Sequence, residues 1–315
     1  MPNRRLLFVP LAAVIAVAAA ASAGCDDRAN GDDAPATKSS QRSEKKGGNG
    51  NKRKGDKPRF KLGRIDHDAI GESSGIIGGR KHAGVFWTHN DSGNGPFLFA
   101  ITREGKFVAE YPVAGVRNTD WEAITADDAG QLYIGDIGNN DGKRDRLLVY
   151  RLTEPDPAAA GPKGRGMALK VNAIYRLKYP DRPFDAEALF VHQGKGYVIS
   201  KQINGKQAGV YRFDLAAPGV DAAALEHVCD LPIRSPVTDA AISADGKQLA
   251  VLTITGPNLF QINGDVASAA TVEPKHVTYF DANDLNMEAV CFVEEGLLAT
   301  TEQGQMLLFA YEHFE

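Results

Sequence analysis

The sequence predicts an all-β protein, and three observations lead to this fold class. From about residue 60 onward, one plan of segments recurs roughly every fifty residues. Within each repeat, short apolar runs alternate with turns rich in Gly, Asp and Asn, a pattern typical of antiparallel strands. No stretch of this region shows the apolar spacing of an amphipathic helix. Five repeats of four strands each predict a five-bladed β-propeller built from four-stranded antiparallel blades.

The first 24 residues predict an export signal. The segment MPNRR is basic, LLFVPLAAVIAVAAAA is apolar, and small residues follow, which is the layout of a secretory signal peptide. The next residues, ASAGC, resemble the lipobox of bacterial lipoproteins, although Ser22 stands where that motif usually has Leu. This resemblance implies cleavage before Cys25 and lipidation of Cys25, which would anchor an exported protein to a membrane. A short membrane span is the alternative interpretation.

Residues 25–58 predict a disordered linker between this anchor and a globular domain. The segment is rich in Gly, Ser, Asn, Lys and Asp and has almost no large apolar side chains. Residues 38–59 contain nine basic and two acidic side chains. Such a run is suited to anionic lipid or a cell-wall polymer, and a solvated spacer is the equal alternative.

The charge of the chain argues against nucleic acid as a partner. The net charge is −4, but residues 60–315 contain 24 basic and 34 acidic side chains. An acidic globule repels a phosphate backbone. We expect a monomer whose partners are the membrane and an unidentified small molecule or protein.

The segments of each repeat predict the strands of one blade in order. They begin with similar inner-strand segments, which are SSGIIGG, WEAITAD, AEALFVH, TDAAISA and MEAVCFV. A second apolar stretch follows in every repeat, as in GVFWTHND, and then a third, as in PFLFAITREG. Four repeats continue into a fourth stretch such as FVAEYPVAG, and the second also contains the Pro/Gly-rich TEPDPAAAGPKGRG, which predicts an insertion.

The fifth repeat lacks its fourth strand. The segment RFKLGRID at residues 59–66 has the pattern of that strand and precedes the first repeat. We therefore predict that it completes the last blade and closes the ring, so that the propeller domain comprises residues 59–315. Closure of this kind removes exposed sheet edges.

The segment GESSG at residues 71–75 fits the G-x-S-x-G pattern of a serine-hydrolase nucleophile elbow. Such an elbow requires a strand, a sharp turn and then a helix. The following IIGGRKHAGVFWTH predicts turn and strand instead. We therefore predict that the match is accidental and that Ser73 is not a nucleophile.

One polar residue near the start of each inner strand predicts an axial metal site. Inner strands line the central channel of a propeller, so these five side chains should converge, and four of them are carboxylates. Converging carboxylates must hold protons or share a cation, and a roomy ring of oxygen ligands suits Ca²⁺ better than Mg²⁺. The alternative is that these residues cap backbone N–H groups at strand starts. The predicted ligands are Ser74, Glu122, Glu187, Asp239 and Glu288.

Polar residues at the ends of the second strands predict a ligand site around that ring. The first two strands of a blade form a hairpin, so the second strand ends on the face where the first began. Convergent polar groups on such a rim suit ligand binding, although turn chemistry explains HNDSGNG and DIGNNDG equally well. The predicted ligand-binding residues are His89, Asn90, Asp91, Asp136, Asn139, Asn140, Lys201 and Glu302.

The order of the five axial residues resembles that of the calcium-activated nucleotidases (apyrases), which are five-bladed propellers with an axial Ca²⁺. The resemblance implies metal binding by Ser74, Glu122, Glu187 and Glu288, whereas Asp239 stands where that family has Ser. The strings HNDSG, DWEAI and GDIGNN also look like those of secreted bacterial propeller proteins. They are loosely similar to the phytase-type esterase propellers.

Three functions follow from these observations. The leading hypothesis is a lipid-anchored, exported propeller that binds Ca²⁺ and presents a polar face to a ligand. The first alternative is a Ca²⁺-dependent phosphoester hydrolase, in which Lys201 or Arg144 pairs the phosphate charge and Glu302 or Asp136 orients water. The second alternative is an envelope protein in which the ring only stabilises the fold.

Overall fold

The computed structural model describes residues 60–219, 221–281 and 286–315. The predicted signal peptide, Cys25 and the linker lie outside the described residues. The described part is built from five small, mainly antiparallel sheets. This confirms the predicted five-bladed β-propeller.

The blades follow one another along the chain. Strand β1 (Lys61–Arg64) belongs to the last blade, and blade 1 contains β2 (Ser73–Gly78), β3 (Phe86–Asn90), β4 (Phe97–Ile101) and β5 (Phe107–Ala114). Blade 2 contains β6 (Trp121–Ala126), β7 (Gln131–Asp136) and β8 (Arg146–Thr153), and after the short β9 (Leu169–Lys170) it is completed by β10 (Ala173–Lys178).

Blade 3 contains β11 (Ala186–His192), β12 (Lys195–Ser200) and β13 (Ala208–Asp214), and after the short β14 (Ala223–Ala224) it is completed by β15 (Glu226–Leu231). Blade 4 contains β16 (Val237–Ile242), β17 (Gln248–Thr253), β18 (Gly256–Gln261) and β19 (Lys275–His276), and blade 5 contains β20 (Met287–Val293), β21 (Gly296–Thr301) and β22 (Gln305–Ala310). Short 3-10 helices span Pro157–Ala159, Pro162–Gly164, Val266–Thr271 and Tyr311–Phe314.

The ring is closed as the sequence predicts. The inner strands β2, β6, β11, β16 and β20 each contact the next, and β20 contacts β2 again. Strand β1 pairs antiparallel with β22, with Arg64 opposite Gln305. The first strand of the domain thus supplies the fourth strand of the last blade.

Two blades have a fifth strand that the sequence does not predict. The insertion in blade 2 forms two 3-10 turns and then β9, which runs parallel to the outer strand β5 of blade 1. In the same way, β14 runs parallel to β10. Each added strand covers a sheet edge that would otherwise offer free N–H and C=O groups.

The inner strands are buried on both faces, which explains their continuous apolar runs. All six residues of β6 and nearly all of β2 are buried. The carboxylate of Glu154, which lies 5% exposed, joins blades 2 and 1 by accepting hydrogen bonds from Trp87 Nε1 at 2.9 Å and Lys81 N at 2.9 Å. A carboxylate buried between blades requires donors of this kind.

The GESSG segment does not form a nucleophile elbow. Strand β2 begins at Ser73 and leads through a turn into β3, without the helix that an elbow requires. Ser73 is 1% exposed, and its Oγ lies 2.8 Å from Thr88 Oγ1. This confirms the prediction that the match to the nucleophile-elbow pattern is accidental. In the described part of the chain, no helix has the length and apolar character needed to cross a membrane.

Candidate metal centre

Every inner strand begins with a β-bulge, and the bulge sets the position of the axial side chain. In β6, Trp121 pairs with Asp136 and Ala123 with Gly135, so Glu122 is the extra residue. Glu187 in β11 and Glu288 in β20 occupy the same position, and the bulge of β2 contains Ser74. A bulge re-aims its side chain away from the normal alternation of a strand.

The structure corrects the predicted fourth member of this ring. In β16, Val237 pairs with Thr253 and Asp239 with Leu252, so Thr238 is the bulged residue. The Asp239 carboxylate instead accepts hydrogen bonds from Val290 N at 2.7 Å and Ala240 N at 2.8 Å. Asp239 therefore joins blade 4 to blade 5, and Thr238 occupies the bulge position that Glu122, Glu187 and Glu288 have in their strands.

Four of the five bulged residues, Ser74, Glu122, Glu187 and Glu288, line one small acidic cavity of about 110 Å³, whereas Thr238 is not part of its lining. Six carboxylates and one ammonium group belong to its lining. Ser74 Oγ donates to Glu122 Oε2 at 3.2 Å, and Lys201 Nζ forms an ion pair of 2.6 Å with Glu187 Oε1. The lining residues are Glu72, Ser73, Ser74, Asp91, Glu122, Asn140, Glu187, Lys201, Asn286, Glu288 and Glu302.

Burial and mutual repulsion disfavour the charged forms of these carboxyl groups. Burial, followed by the charge of Glu187, raises the pKa of Glu122 well above its ordinary value. Burial raises the pKa of Glu187 to about 7, although Lys201 opposes the shift, and burial with the charge of Glu187 raises the pKa of Glu288 to about 8. A positive charge in the cavity would reverse these shifts.

Lys201 supplies one positive charge to the cavity. Its side chain is 26% exposed, and burial by itself would lower its pKa. The carboxylates of Glu187, Asp185 and Glu122 outweigh burial and raise the pKa of Lys201 above its usual value. One ammonium group can balance only one of the six acidic side chains, so the others need bound protons or a further positive charge.

Several acidic and polar side chains next to the ring, among them Asp120, are not predicted from the sequence. One oxygen each from Asp91, Asp120 and Glu122 lie within 4.8 Å of one another, and burial with the charge of Asp91 raises the pKa of Asp120 to about 6. The sequence contains a pattern that could have predicted these residues: in four blades, a polar residue lies two positions before the bulged residue. These residues are Glu72, Asp120, Asp185 and Asn286.

Two predicted rim residues lie in the interior instead. His89 is 0% exposed, its ring packs edge-on against Trp121 with a centroid distance of 5.6 Å, and burial lowers its pKa to about 4. Asn90 donates to Ala69 O at 2.7 Å and accepts from Glu72 N at 3.2 Å. Neither residue lines the axial cavity.

Three further predicted residues stabilise the loop that follows β7. Asp136 is 0% exposed, forms an ion pair of 2.8 Å with Arg144, and accepts from Tyr150 Oη at 3.1 Å. Arg144 also donates to Gly138 O at 2.7 Å, and Asn139 donates to Tyr179 Oη at 2.8 Å. Asp136, Asn139 and Arg144 are absent from the cavity lining, whereas Asp91, Asn140, Lys201 and Glu302 belong to it.

Replacing Asp239 by Asn tests the corrected register. An amide oxygen cannot replace both carboxylate oxygens, so one of the two backbone donors loses its acceptor. We expect the free energy of unfolding to fall by about 1–3 kcal/mol, measured by urea unfolding without divalent cations. A matched Asp245→Asn change, in an exposed turn, should have little effect. Equal stability of Asp239→Asn and the wild type would contradict the structural role.

Comparisons with known proteins show distant structural likeness. No protein family and no curated protein matches the sequence. Hydrazine synthase of Kuenenia stuttgartiensis is 16% identical, with a TM-score of 0.41, and the match covers 75% of this chain but only 57% of the synthase chain. A nidogen/laminin complex gives 11% identity and a TM-score of 0.43, covering 73% of each chain.

A luciferin-regenerating enzyme is also similar, at 11% identity and a TM-score of 0.45, with 79% of this chain and 92% of that chain covered. Likenesses at these values carry no information about function. The function must therefore be inferred from the residues of the cavity.

Proposed function

We propose that this protein is a Ca²⁺-binding propeller whose cation lies in the axial cavity. The observation that carries the proposal is the set of bulged residues, which supplies one oxygen-bearing side chain from each of the five inner strands. All donors are oxygens, and a ring of this size with flexible side chains suits Ca²⁺ better than Mg²⁺. The residues that would hold the cation are Ser74, Glu122, Glu187, Thr238 and Glu288.

An unpartnered hydroxyl oxygen and a group of buried carboxyl groups support a cation at this position. Thr238 is 3% exposed, and its Oγ1 has no hydrogen-bond partner within the described ranges. A buried hydroxyl without a partner costs free energy, and a cation would satisfy its oxygen. A bound cation would also supply the positive charge that the carboxylates of Glu122, Glu187 and Glu288 require.

The mouth of the cavity is suited to a polar ligand. Asn140, Asn286 and Glu302 are exposed and line the cavity together with Lys201. Asn286 Nδ2 donates to Glu302 Oε2 at 2.6 Å, so two neighbouring rim groups are already oriented. We propose that this face contacts a small-molecule or protein ligand beside the cation.

Isothermal titration calorimetry tests the site through Thr238. We expect the wild type to bind Ca²⁺ with one site per chain, and Thr238→Val to bind several-fold more weakly because it lacks the hydroxyl oxygen. Thr125→Val is the matched control, since Thr125 is a buried threonine of another inner strand and lies at the opposite end of the channel. Absence of Ca²⁺ binding by the wild type would refute the proposal.

A Ca²⁺-dependent phosphoester hydrolase is the second candidate. Lys201 lines the cavity, where its ammonium group is placed to pair a phosphate, and Glu302 is also there. Two other candidate catalytic residues, Asp136 and Arg144, are engaged with each other outside the cavity. With Thr238 in the fourth position, the ring has a hydroxyl where the apyrases have Ser, which brings the resemblance closer than Asp239 did.

Assays with nucleoside triphosphates, phytate and a generic phosphoester, each with and without Ca²⁺, separate the two functions. Ca²⁺-dependent turnover that is lost in Lys201→Met supports the hydrolase. Ca²⁺ binding without turnover excludes the hydrolase and is compatible with the binding protein and with the purely structural role.

We also propose that the protein is exported and anchored to a membrane through a lipid on Cys25. A Cys25→Ser protein should lose the lipid and move from the membrane fraction to the soluble fraction. Fractionation with detection by immunoblot, with Cys229→Ser as the control, measures this change. Unchanged membrane association of Cys25→Ser would contradict lipidation at that residue.

A further inference from the structure

A second cavity lies on the outer half of blade 1 and has about 610 Å³ of space. It shares no lining residue with the axial cavity. Its walls come from β4, from β5 and from the insertion of blade 2, which lies beside β5. Binding in this cavity would be independent of a cation in the axial cavity.

One wall of this cavity is apolar and partly open. Phe97 pairs with Pro112 and Phe99 with Glu110 across β4 and β5, so these four side chains share one face of the blade. The rings of Phe97 and Phe99 lie 6.1 Å apart at an interplanar angle of 24°. Phe99 is buried, but Phe97 is only half-buried, so a planar ligand can stack on it.

A glycine keeps the Phe97 ring uncovered. A Cβ atom at Gly95 would lie 2.9 Å from the Phe97 ring, which is closer than ordinary van der Waals contact. Any side chain at position 95 would therefore press on the ring and cover it.

The other end of the cavity carries a carboxylate and a guanidinium group side by side. Glu110 Oε1 lies 3.2 Å from Arg165 Nε, and the Glu110 side chain is 16% exposed. The Arg165 side chain is 76% exposed, so the pair is open to solvent on one side. The backbone of the insertion is held in place because Gly166 N donates to Glu110 O at 2.8 Å.

We propose that this cavity binds a free α-amino acid with an aromatic side chain. The α-ammonium group pairs with Glu110, the α-carboxylate pairs with Arg165, and the side-chain ring stacks on Phe97. Because Arg165 is largely exposed, the present pair is weakened by solvent, and two charge-assisted pairs to the ligand can replace it. Burial of the ligand ring against Phe97 and Pro112 supplies the apolar contribution.

Binding of L-phenylalanine, followed by two-dimensional NMR of the labelled protein, tests the proposal. We expect saturable shifts of the Gly95 and Gly166 amide signals and a dissociation constant on the order of 0.1–1 mM. Phenethylamine lacks the carboxylate and 3-phenylpropionate lacks the ammonium group, so each should bind at least tenfold more weakly. Equal binding of either analogue would overturn the recognition of a zwitterion.

Two variants locate the site. Glu110→Gln and Phe97→Ala should each weaken L-phenylalanine binding at least tenfold. The matched control is Glu226→Gln, which removes an exposed Glu–Arg pair with Arg212 in blade 3 and should leave binding unchanged. Glu110→Gln removes no buried apolar group, so it remains informative if Phe97→Ala fails to fold. Unchanged affinity in Glu110→Gln, or no saturable shift in the wild type, would overturn the proposal.

Discussion

Calcium raises the melting temperature of the wild-type protein but not that of a Glu122→Gln/Glu288→Gln double variant; this is the result we expect from thermal unfolding. A ligand at one hundred times its dissociation constant stabilises the native state by about 2.7 kcal/mol. For a domain of this size, that corresponds to a rise of roughly 5–10 °C. The double variant keeps the shape of both side chains but lacks two of the three ring carboxylates.

The same experiment has a second expected outcome, in the presence of a chelator. Without a cation at pH 8 or above, the double variant should melt at a higher temperature than the wild type, because Gln is neutral there without binding a proton. Glu104→Gln/Glu312→Gln is the matched control. It changes the net charge by the same amount, but both of its carboxylates are exposed. A wild type that does not respond to Ca²⁺, or a double variant that responds equally, would refute the axial site.

The stability of the metal-free protein should fall as the pH rises from 6.5 to 8. Burial raises the pKa of Glu187 to about 7 and that of Glu288 to about 8, whereas both titrate near 4.5 in the unfolded chain. The folded protein therefore holds protons in this range that the unfolded chain has released. Unfolding releases these protons, so a higher pH favours unfolding. We expect a loss of about 2 kcal/mol across this interval.

The lower limit of the interval is set by His89. Burial lowers the pKa of His89 from 6.5 to about 4, so the folded state binds fewer protons there than the unfolded chain. This effect raises stability as the pH rises from about 4, and it levels off about one pH unit above the unfolded pKa of 6.5. Below pH 6.5 it opposes the effect of the carboxyl groups strongly, and above pH 6.5 only a small opposing contribution from His89 is left.

Urea unfolding at several pH values with a chelator measures this dependence. Glu288→Gln should reduce the slope, and saturating Ca²⁺ should abolish it because the bound cation holds the carboxylates ionised. The exposed change Glu312→Gln serves as the control. A wild-type stability that stays constant or rises between pH 6.5 and 8 would contradict the raised pKa values.

Most of the fold could be predicted from the sequence because its information is local and repeated. Each inner strand combines an apolar run with a preceding polar residue, and the repeat returns at nearly constant intervals. The segment at residues 59–66 could be assigned to the last blade because only that blade lacked a strand. The parallel additions β9 and β14 could not be predicted, since two-residue strands have no recognisable pattern.

The candidate site was predictable only in part. Ser74, Glu122, Glu187 and Glu288 were found because they precede similar apolar runs. Asp239 was predicted in the fourth repeat because it directly precedes the apolar run, and its neighbour Thr238 was not considered. The strand pairing of β16 with β17 decides between them, and this one-residue difference moves the side chain to another environment.

Period and polarity along the chain were thus sufficient to determine the number of blades, the closure of the ring and four residues that line the axial cavity. Only the tertiary structure decided that Thr238 is the bulged residue of β16, that Asp136 and Arg144 bind each other, and that His89 is buried. These features depend on strand register and on contacts between distant segments. Both are set by the packing of whole blades, which no local pattern in the sequence encodes.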